Sequence, residues 1–326
     1  MGPEFQLIQA FVAAAAVSPR APRGPGDDAA VLPLQGGESC VTVDAVVEGV
    51  HFRRASSRLE DVGHKALAVN LSDLAAMGAR PRWALVALGV PRGFRLVDAR
   101  KLGAGFGALA RATGTALVGG NVTRAPGLSL TVTVGGDVAP GRALLRSGAR
   151  PGERVWVSGT LGDSRLGLAL LERRGGAEAR RLRRFPRLAH GAIERQRNPV
   201  PRIELGQALV GLASACIDLS DGLAQDAGHL AAASGVGLHL DASALPASAA
   251  LVAAYPDSRA RARAAAMGGE DYELLFTVPA TRAATVRRLV RRLGLELTPI
   301  GAVRRGRGVH LGGVGTARVR GFDHLA

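Results

Sequence analysis

Aromatic residues, lysine and cysteine are all scarce in this chain of 326 residues. Phe, Trp and Tyr make up 4% of the sequence while 47% is hydrophobic, so the core must be packed mainly from Ala, Val and Leu. Stacking aromatics do not interleave with the basic residues, which argues against nucleic acid as a partner. No apolar run approaches the ~18 residues that a membrane span requires, so we expect no membrane partner either.

The charge balance is strongly basic, with a formal net charge of +15 at pH 7. Only Lys65 and Lys101 are lysines, so 40 of the 42 basic residues are arginines. This broad preference indicates a compositional bias more than a basic binding surface. We interpret the densest basic run, residues 172–197, as a solvated helical insertion. The alternative from a different class is an arginine-rich nucleic-acid-binding protein, whose binding would fall steeply with salt and need no Mg²⁺.

The two cysteines and the first residues indicate a protein without disulfides or a leader. Cys40 and Cys216 lie in apolar, strand-like stretches and are predicted to be core residues. Residues 1–17 lack a basic leading region and have apolar residues at helical spacing, which predicts an amphipathic helix and not a signal peptide. We therefore expect a cytoplasmic protein.

The length predicts two domains, because single cores stop growing near about 250–300 residues. Residues 140–151 are rich in turn formers and predict the boundary, with domains at 1–140 and 141–326. The first domain has the order ββαβαββ, with a turn at Gly119–Asn121, which predicts a helix-backed antiparallel or mixed sheet of the α+β type. The second domain alternates helices and strands and is predicted to be α/β.

Residues 65–78 (KALAVNLSDLAAMG) predict a buried helix, since apolar residues lie nearly all round it. Asp73 lies within this helix. Burying an ionised carboxylate without a partner is costly, so Asp73 must face a cation, a hydrogen-bond network or water in a cleft. Lys65 is the nearest cation in sequence, but it lies two turns away, beyond the i,i+4 reach.

Acidic residues recur at turns and strand ends beside glycine and small residues. They are Asp27, Asp28, Asp44, Asp73, Asp218, Asp221, Glu270 and Asp271. Carboxylates on short, rigid elements suit hard divalent cations, above all Mg²⁺. Two alternatives stay open: Asp27–Asp28 is also typical of a turn or helix cap, and Asp218 with Asp221 of a strand end and helix cap. His51 is either an ordinary surface residue or a substrate contact.

A phosphate-binding loop with the pattern GxxxxGK followed by Ser or Thr does not occur. The glycines at residues 103–107 lie in a helix-like stretch without the preceding strand that such a loop needs. Gly119–Asn121 offer an anion a better approach, because they directly follow a predicted strand. If a nucleotide binds, metal ions must therefore neutralise most of its phosphate charge.

Long motifs in a fixed order resemble a known family. They include residues 26–31 (GDDAAV), 42–52, 65–79, 119–121, 141–148, 158–164, 217–223 (IDLSDGL) and 268–274 (GGEDYEL). The sequence resembles the thiamine-monophosphate kinases of the aminoimidazole-ribonucleotide-synthetase-like superfamily. The resemblance implies that superfamily's two-domain α/β fold, with first-domain sheets pairing across a homodimer. It also implies direct in-line transfer of the ATP γ-phosphoryl group onto thiamine monophosphate, assisted by several Mg²⁺ ions.

The same resemblance implies roles for individual residues, by motif match. Metal would be held by Asp28, Thr42, Asp44, Asp73, Asn121, Asp218 and Asp221. The nucleotide would contact Gly120, Asn121, Arg146 and Ser220. Thiamine monophosphate would contact His51, Glu270 and Phe322. Asn121 stands where many relatives have Asp, and Phe322 where Trp or Tyr is frequent. No side chain is implied as a nucleophile.

Other members of the superfamily are the nearest alternatives. They are aminoimidazole ribonucleotide synthetase, selenophosphate synthetase and the hydrogenase-maturation dehydratase. The selenophosphate enzyme needs a reactive Cys or selenocysteine near its start, whereas the first Cys here is Cys40. The dehydratase needs a C-terminal Cys, whereas this sequence ends in His-Leu-Ala. We therefore expect neither activity.

Overall fold

The structure is a computed structural model that describes residues 30–34, 37–172 and 176–313. Within these residues the chain forms two β-sheets with helices packed against them. We call residues up to 140 the first half and residues from 141 the second half, following the predicted boundary, which stays a prediction. The helix predicted at residues 1–17, the Asp27–Asp28 pair and Phe322 lie outside the described residues.

The first half, as far as it is described, contains a five-stranded sheet and two long helices. Its elements are β1 (Ala30–Leu34), β2 (Gly37–Val47), α1 (Leu59–Ala76), β3 (Arg80–Val90), α2 (Leu96–Thr113), β4 (Ala116–Arg124) and β5 (Ser129–Val138). The described strands lie in the order β1-β2-β5-β3-β4, and among them β3 and β4 pair in parallel while the others pair antiparallel. The predicted helix-backed mixed sheet is confirmed.

Helix α1 is buried along nearly its whole length, as its apolar pattern predicted. It packs against the first sheet and α2 on one side and against residues of the second half on the other. Gly63 allows the close crossing with α2, because a Cβ at this position would overlap the carbonyl oxygen of Leu102. The helix that carries Asp73 is therefore held rigidly at the junction of the two halves.

The described part of the second half contains a six-stranded sheet. Its elements are β6 (Arg154–Ser158), α3 (Asp163–Leu171), α4 (Ala177–Leu182), α5 (Pro186–Arg197), α6 (Ile203–Leu209), β7 (Ala215–Asp218), α7 (Leu223–Ser234), β8 (Gly237–Asp241), α8 (Ala249–Ala254), α9 (Ser258–Met267), β9 (Leu274–Val278), α10 (Ala283–Leu293), β10 (Leu297–Arg304) and β11 (Gly308–Gly312). The strand order is β11-β8-β10-β6-β9-β7. Of the described pairs, β8–β11 is parallel and the others are antiparallel.

The second sheet is covered on both faces, which explains the continuous apolar runs of its strands. In β6, Val155 and Val157 face one hydrophobic core while Trp156 faces another. Cys216 on β7 is buried in the second of these cores. Cys40 is likewise buried in the first half, and both are free thiols, so the prediction of two core cysteines is confirmed.

The turn predicted at Gly119–Asn121 is wrong. These residues continue β4 and each pairs with a residue of β3, Gly119 with Leu85, Gly120 with Val86 and Asn121 with Ala87. A Cβ on Gly120 would overlap the carbonyl oxygen of Val86, so the pairing of the two strands requires glycine here. Consecutive glycines predicted a turn because they usually form turns, whereas tertiary pairing with β3 keeps this segment extended.

The run at residues 172–197 is more than a solvated insertion. It contains α4 and α5, and many of its described arginines are exposed. At the end of α5, however, Gln196 is 5% exposed and Arg195 donates a hydrogen bond to the fully buried Glu273. The prediction is wrong for this last turn, because the run itself does not reveal its buried partners. Among the described helices, none has the length and apolar composition that crossing a bilayer requires.

Candidate active site

Asp73, near the end of α1, faces strand β2. Thr42 Oγ1 donates a hydrogen bond of 2.7 Å to Asp73 Oδ2. Because side chains alternate along a strand, Thr42 and Asp44 lie on the same side of β2 as the buried Val46, which is the side that faces α1. Lys65 does not pair with Asp73; its Nζ lies 2.5 Å from Oε1 of Glu270. The hydroxyl of Thr42 therefore orients the Asp73 carboxylate.

Ser72, the residue before Asp73, contacts the second half. Its Oγ donates a hydrogen bond of 2.7 Å to Oδ2 of Asp218, at the end of β7. Both residues are buried. Neighbouring residues on a helix point about 100° apart, so α1 presents Asp73 to β2 and Ser72 to β7. Adjacent positions on one helix thus bring together acids from the two halves.

Asp221 follows β7 in the loop that leads into α7. Its carboxylate lies within 4.8 Å of ligand atoms of Asp226 and His229. Asp226 Oδ2 accepts hydrogen bonds from the backbone N–H groups of Asp221 (3.1 Å) and Gly222 (3.0 Å), so α7 fixes this loop. Burial, and then the charges of Asp221 and Asp218, raise the pKa of Asp226 well above its usual range. Asp226 and His229 were not predicted from the sequence, although their i,i+3 spacing places both on one face of any helix that follows Gly222.

Tyr272 shows how closely the acids gather. Its side chain is buried, and burial is the largest cause that raises the pKa of its phenol. The pKa is raised further by four carboxylates, those of Glu270, Asp44, Asp218 and Asp73. These four come from both halves of the chain. They therefore form one electronegative site around the Tyr272 side chain.

The oxygen donors of this site fit magnesium. We call Thr42, Asp44, Asp73, Asp218 and Asp221 the shared acid cluster. Hydroxyl and carboxylate oxygens are the ligands that Mg²⁺ prefers. Carboxylates that lie close together repel one another, and divalent cations between them remove that repulsion. The arrangement can hold such cations and, through them, phosphate groups.

The loop between α9 and β9 brings Glu270 to the shared acid cluster. The Glu270 N–H donates to the carbonyl oxygen of Ser220 (2.6 Å), and the Tyr272 N–H donates to that of Leu219 (2.9 Å). Glu270 and Tyr272 have φ angles of 63° and 51°, in the left-handed region that residues other than glycine rarely adopt. Two residues predicted from the resemblance, Ser220 and Glu270, are therefore neighbours.

Glu273 has a different environment, although it is only three residues from Glu270. It is fully buried, and Ser158 Oγ donates a hydrogen bond of 2.5 Å to it. Arg195 and Arg202 also donate, each with a bond of 2.7 Å. Burial alone would raise the pKa of Glu273, but the hydrogen bonds and charges of Arg202 and Arg195 hold it below its usual range. This group is a buried ion-pair network.

His51 lies shortly after β2, which carries Thr42 and Asp44, and Arg146 lies in the loop between β5 and β6. The Val47 N–H donates to Nδ1 of His51 (3.1 Å), so the neutral ring carries its proton on Nε2. This bond fixes the ring at the end of β2. The carbonyl oxygen of Arg146 accepts a bond of 2.9 Å from Ser234 Oγ on α7. The segment that precedes Arg146 runs beside β7, where the Cys216 N–H donates to the backbone.

Gly120 and Asn121 lie further from the cluster within one chain. Gly120 shares a row of the first sheet with Asp44, because Asp44 pairs with Val132, Val132 with Val86, and Val86 with Gly120. Three strand spacings separate the two ends of this row, which amounts to about 14 Å. The structure thus brings together the metal ligands predicted on β2, α1 and the β7–α7 loop but not, within one chain, Asn121.

Comparison with known proteins agrees with this two-part fold. The family described as AIR synthase related protein matches in both parts, its N-terminal domain over residues 26–138 and its C-terminal domain over residues 150–313. Thiamine-monophosphate kinase of Salmonella typhimurium is 44% identical over 282 residues, which cover 85% of this chain and 83% of that protein. Thiamine-monophosphate kinase of Bacillus subtilis is 36% identical over 304 residues, covering 92% and 91%.

Solved structures give the same result. A structure described as AaThiL complexed with AMPPCP and TMP has a TM-score of 0.85 at 34% identity, covering 98% of this chain and 96% of that one. The chain therefore belongs to the AIR synthase related proteins, whose N-terminal and C-terminal domain models match it one after the other. Within them, the chain belongs to the thiamine-monophosphate kinase family.

Proposed function

We infer that this protein transfers the γ-phosphoryl group of ATP onto thiamine monophosphate and so produces ADP and thiamine diphosphate. The main support for this inference is an acid cluster assembled from both halves. It lies in a fold that matches AaThiL complexed with AMPPCP and TMP over 98% of the chain. The relatives at 44% and 36% identity are thiamine-monophosphate kinases. The activity is therefore that of a phosphotransferase.

The reaction brings together two substrates that both carry negative phosphate charge. The shared acid cluster would hold several Mg²⁺ ions. Bound Mg²⁺ would neutralise phosphate charge and keep the two phosphates at reacting distance. Asp28 and Asn121, which the resemblance adds to the metal ligands, stay predictions. The role of the chain's own hydroxyl groups is to orient the cluster: Thr42 aims the carboxylate of Asp73, and Ser72 that of Asp218.

The transfer is proposed to be direct and in line. An oxygen of the monophosphate forms a bond to the γ-phosphorus of ATP. The bond from that phosphorus to the β–γ bridging oxygen breaks, and ADP leaves with its electron pair. No side chain serves as a nucleophile in this scheme, so the chain's contribution is positioning and charge.

Substrate contacts complete the proposal. The nucleotide would contact Gly120, Asn121, Arg146 and Ser220, and thiamine monophosphate would contact His51, Glu270 and Phe322. A planar guanidinium such as that of Arg146 suits the oxygens of a phosphate. With its proton on Nε2, the ring of His51 can donate to an anionic oxygen. An aromatic ring such as that of Phe322 can pack on the rings of thiamine.

A direct assay tests the activity. Purified protein incubated with ATP, Mg²⁺ and thiamine monophosphate should release ADP and thiamine diphosphate in equal amounts, and removal of Mg²⁺ with a chelator should stop the reaction. A folded, metal-replete sample that forms no thiamine diphosphate would refute the assignment. The arginine-rich alternative predicts instead salt-sensitive binding to nucleic acid without Mg²⁺.

We also propose that the chain forms a homodimer through the first sheet. Val43 on β2 and Leu117, Val118 and Val122 on β4 are 57–66% exposed. Apolar side chains exposed together on a sheet face and an edge strand are typical of an interaction surface. Light scattering should give twice the chain mass, and Val43→Glu combined with Val122→Glu should give a monomer. A monomeric parent protein would contradict this proposal. The cytoplasmic location stays a prediction.

A further inference from the structure

Lys65 is a buried lysine that forms an ion pair with one oxygen of a carboxylate. It is 4% exposed on α1, whereas Lys101, the other lysine of the chain, is exposed on α2. Its Nζ lies 2.5 Å from Oε1 of Glu270. An ammonium group that leaves water needs an ionised partner, and Glu270 supplies it. The pair links α1 of the first half to the α9–β9 loop of the second.

The other oxygen of Glu270 is held from a different element. Nε2 of Gln196, on α5, donates a hydrogen bond of 2.6 Å to Glu270 Oε2. Gln196 is itself fixed, because it is 5% exposed and its Oε1 accepts a hydrogen bond from Ser164 Oγ. With one oxygen tied to α1 and the other to α5, the Glu270 carboxyl group has a set direction.

The backbone of Glu270 shows that this direction is imposed. Its φ angle of 63° is unfavourable for a residue with a Cβ. Such a conformation persists only where the surroundings determine it. Here they do so through Lys65, Gln196 and the hydrogen bond from the Glu270 N–H to Ser220.

We propose that Lys65 and Gln196 are positioning residues that direct the Glu270 carboxylate toward thiamine monophosphate, which rests on the function proposed above. Lys65 shares α1 with Asp73, and the Glu270 N–H is bonded to the loop that carries Asp221. The contacts therefore fix the substrate side of the site relative to its metal side. We call Lys65, Gln196 and Glu270 the Glu270 clamp.

The choice of lysine supports this role. Of 42 basic residues in the chain only two are lysines, and one of them occupies this buried position. A guanidinium group tends to bind both oxygens of a carboxylate at once. The compact ammonium of Lys65 meets one oxygen and leaves the other for Gln196.

Steady-state kinetics with Lys65→Met, Gln196→Met and Glu270→Gln, alone and in pairs, test the clamp. Lys65→Met should lower kcat/KM for thiamine monophosphate by about 10- to 100-fold while the KM for ATP stays close to its parent value. Gln196→Met should act in the same direction more weakly. In the Glu270→Gln background neither change should add a further loss, because both act through Glu270. Lys101→Met is the matched control and should match the parent.

Equal losses for the two substrates, or fully additive losses in the pairs, would overturn the clamp. Hydrogen exchange of the 268–273 amides adds a readout that needs no substrate. Lys65→Met, or Gln196→Met if the first variant does not fold, should speed exchange at Glu270 and Tyr272 and leave β6 unchanged. If the parent protein does not phosphorylate thiamine monophosphate, the proposed function fails. Unchanged exchange in the folded variants would instead overturn the clamp.

Discussion

The shared acid cluster and Glu273 hold their carboxylates in different ways. Asp73 and Asp218 accept hydrogen bonds of 2.7 Å from hydroxyl groups. Glu273 accepts a hydroxyl as well, but two arginines also donate to it. A hydroxyl orients a carboxylate and leaves its charge in place, whereas a guanidinium cancels that charge.

This difference shows what a buried acid is used for. An acid oriented by a hydroxyl still attracts a cation, so it can bind metal and phosphate. An acid neutralised by arginine has little attraction left for a metal, and its loss leaves buried positive charge without a partner. We therefore expect substitutions in the two groups to separate activity from stability.

Asp73→Asn should give the largest effect on activity. It removes one metal-binding charge, and we expect kcat to fall about 1,000-fold. Thermal unfolding should occur at the parent temperature or above, because the substitution also removes repulsion within the cluster. The rate of thiamine diphosphate formation measures the activity, and a melting curve measures the stability. Retention of most activity would make Asp73 a structural residue after all.

Glu273→Gln should have the opposite effect: it should lower the stability and leave Mg²⁺ binding unchanged. It leaves Arg195 and Arg202, whose side chains are 23% and 16% exposed, without their charged partner, and we expect the free energy of unfolding to fall by about 3 kcal/mol. Denaturant unfolding measures this loss. Mg²⁺ binding to the folded variant, followed by calorimetry, should match the parent. If the stability stayed at the parent value, the ion-pair network would not be structural.

Asp271 allows a test by pH. It is buried, and the charge of Arg195 offsets only part of the cost of ionising it. Burial is the largest cause that raises its pKa to about 8. Between the unfolded value near 3.8 and about 8, the folded chain retains a proton that the unfolded chain has lost. The contribution of Asp271 to the free energy of unfolding therefore falls as pH rises through that window and is constant above it.

Asp271→Asn should remove this slope. The melting temperature of the variant relative to the parent should increase from about pH 5 to about pH 8.5. The Asn side chain keeps an oxygen that can accept from the Gly162 N–H, which donates to Asp271 in the parent. A difference that is the same at both pH values would show that Asp271 titrates normally.

A matched pair of serines should give the smallest effects. Ser72 donates to Asp218 and Ser158 to Glu273, so each alanine variant removes one hydrogen bond to a carboxylate, worth about 1.5–3 kcal/mol. Ser158→Ala also removes the bond that Ser158 Oγ accepts from the Leu274 N–H. Ser72→Ala should weaken Mg²⁺ binding and lower kcat/KM about tenfold. Ser158→Ala should instead lower the free energy of unfolding and leave Mg²⁺ binding unchanged. Identical phenotypes would remove the distinction between the two groups.

Much of the fold was predictable because burial imposes its period on the sequence. The buried helix predicted at residues 65–78 and the helix-backed mixed sheet predicted for the first half both occur in the structure. Partners that depend on tertiary packing were not predictable. Ser72 and Asp218 are 146 residues apart in sequence, and no local pattern joins them. The same holds for Gly120, whose local pattern indicates a turn although pairing with β3 makes it a strand.

The candidate site was predictable as a set of acids but not as a geometry. The motifs identified Asp73, Asp218 and Asp221 because acidic residues are unusual in segments this apolar. The partners of Lys65 and Glu270 lie on different elements, so only the folded chain shows them. Asp226 was not predicted as a site residue. Its carboxylate accepts hydrogen bonds from the backbone of the neighbouring loop, and these contacts are seen only in the folded chain.

The adjacency of Ser72 and Asp73 limits how this protein can be recombined. Ser72 is hydrogen-bonded to β7 and Asp73 to β2. Neither half therefore carries a complete cluster. A chimera that exchanges one half for that of a relative will work only if α1 meets β7 at the same angle and depth. The junction between the halves is consequently a poor crossover point, and α1 and β7 are expected to be inherited as one unit.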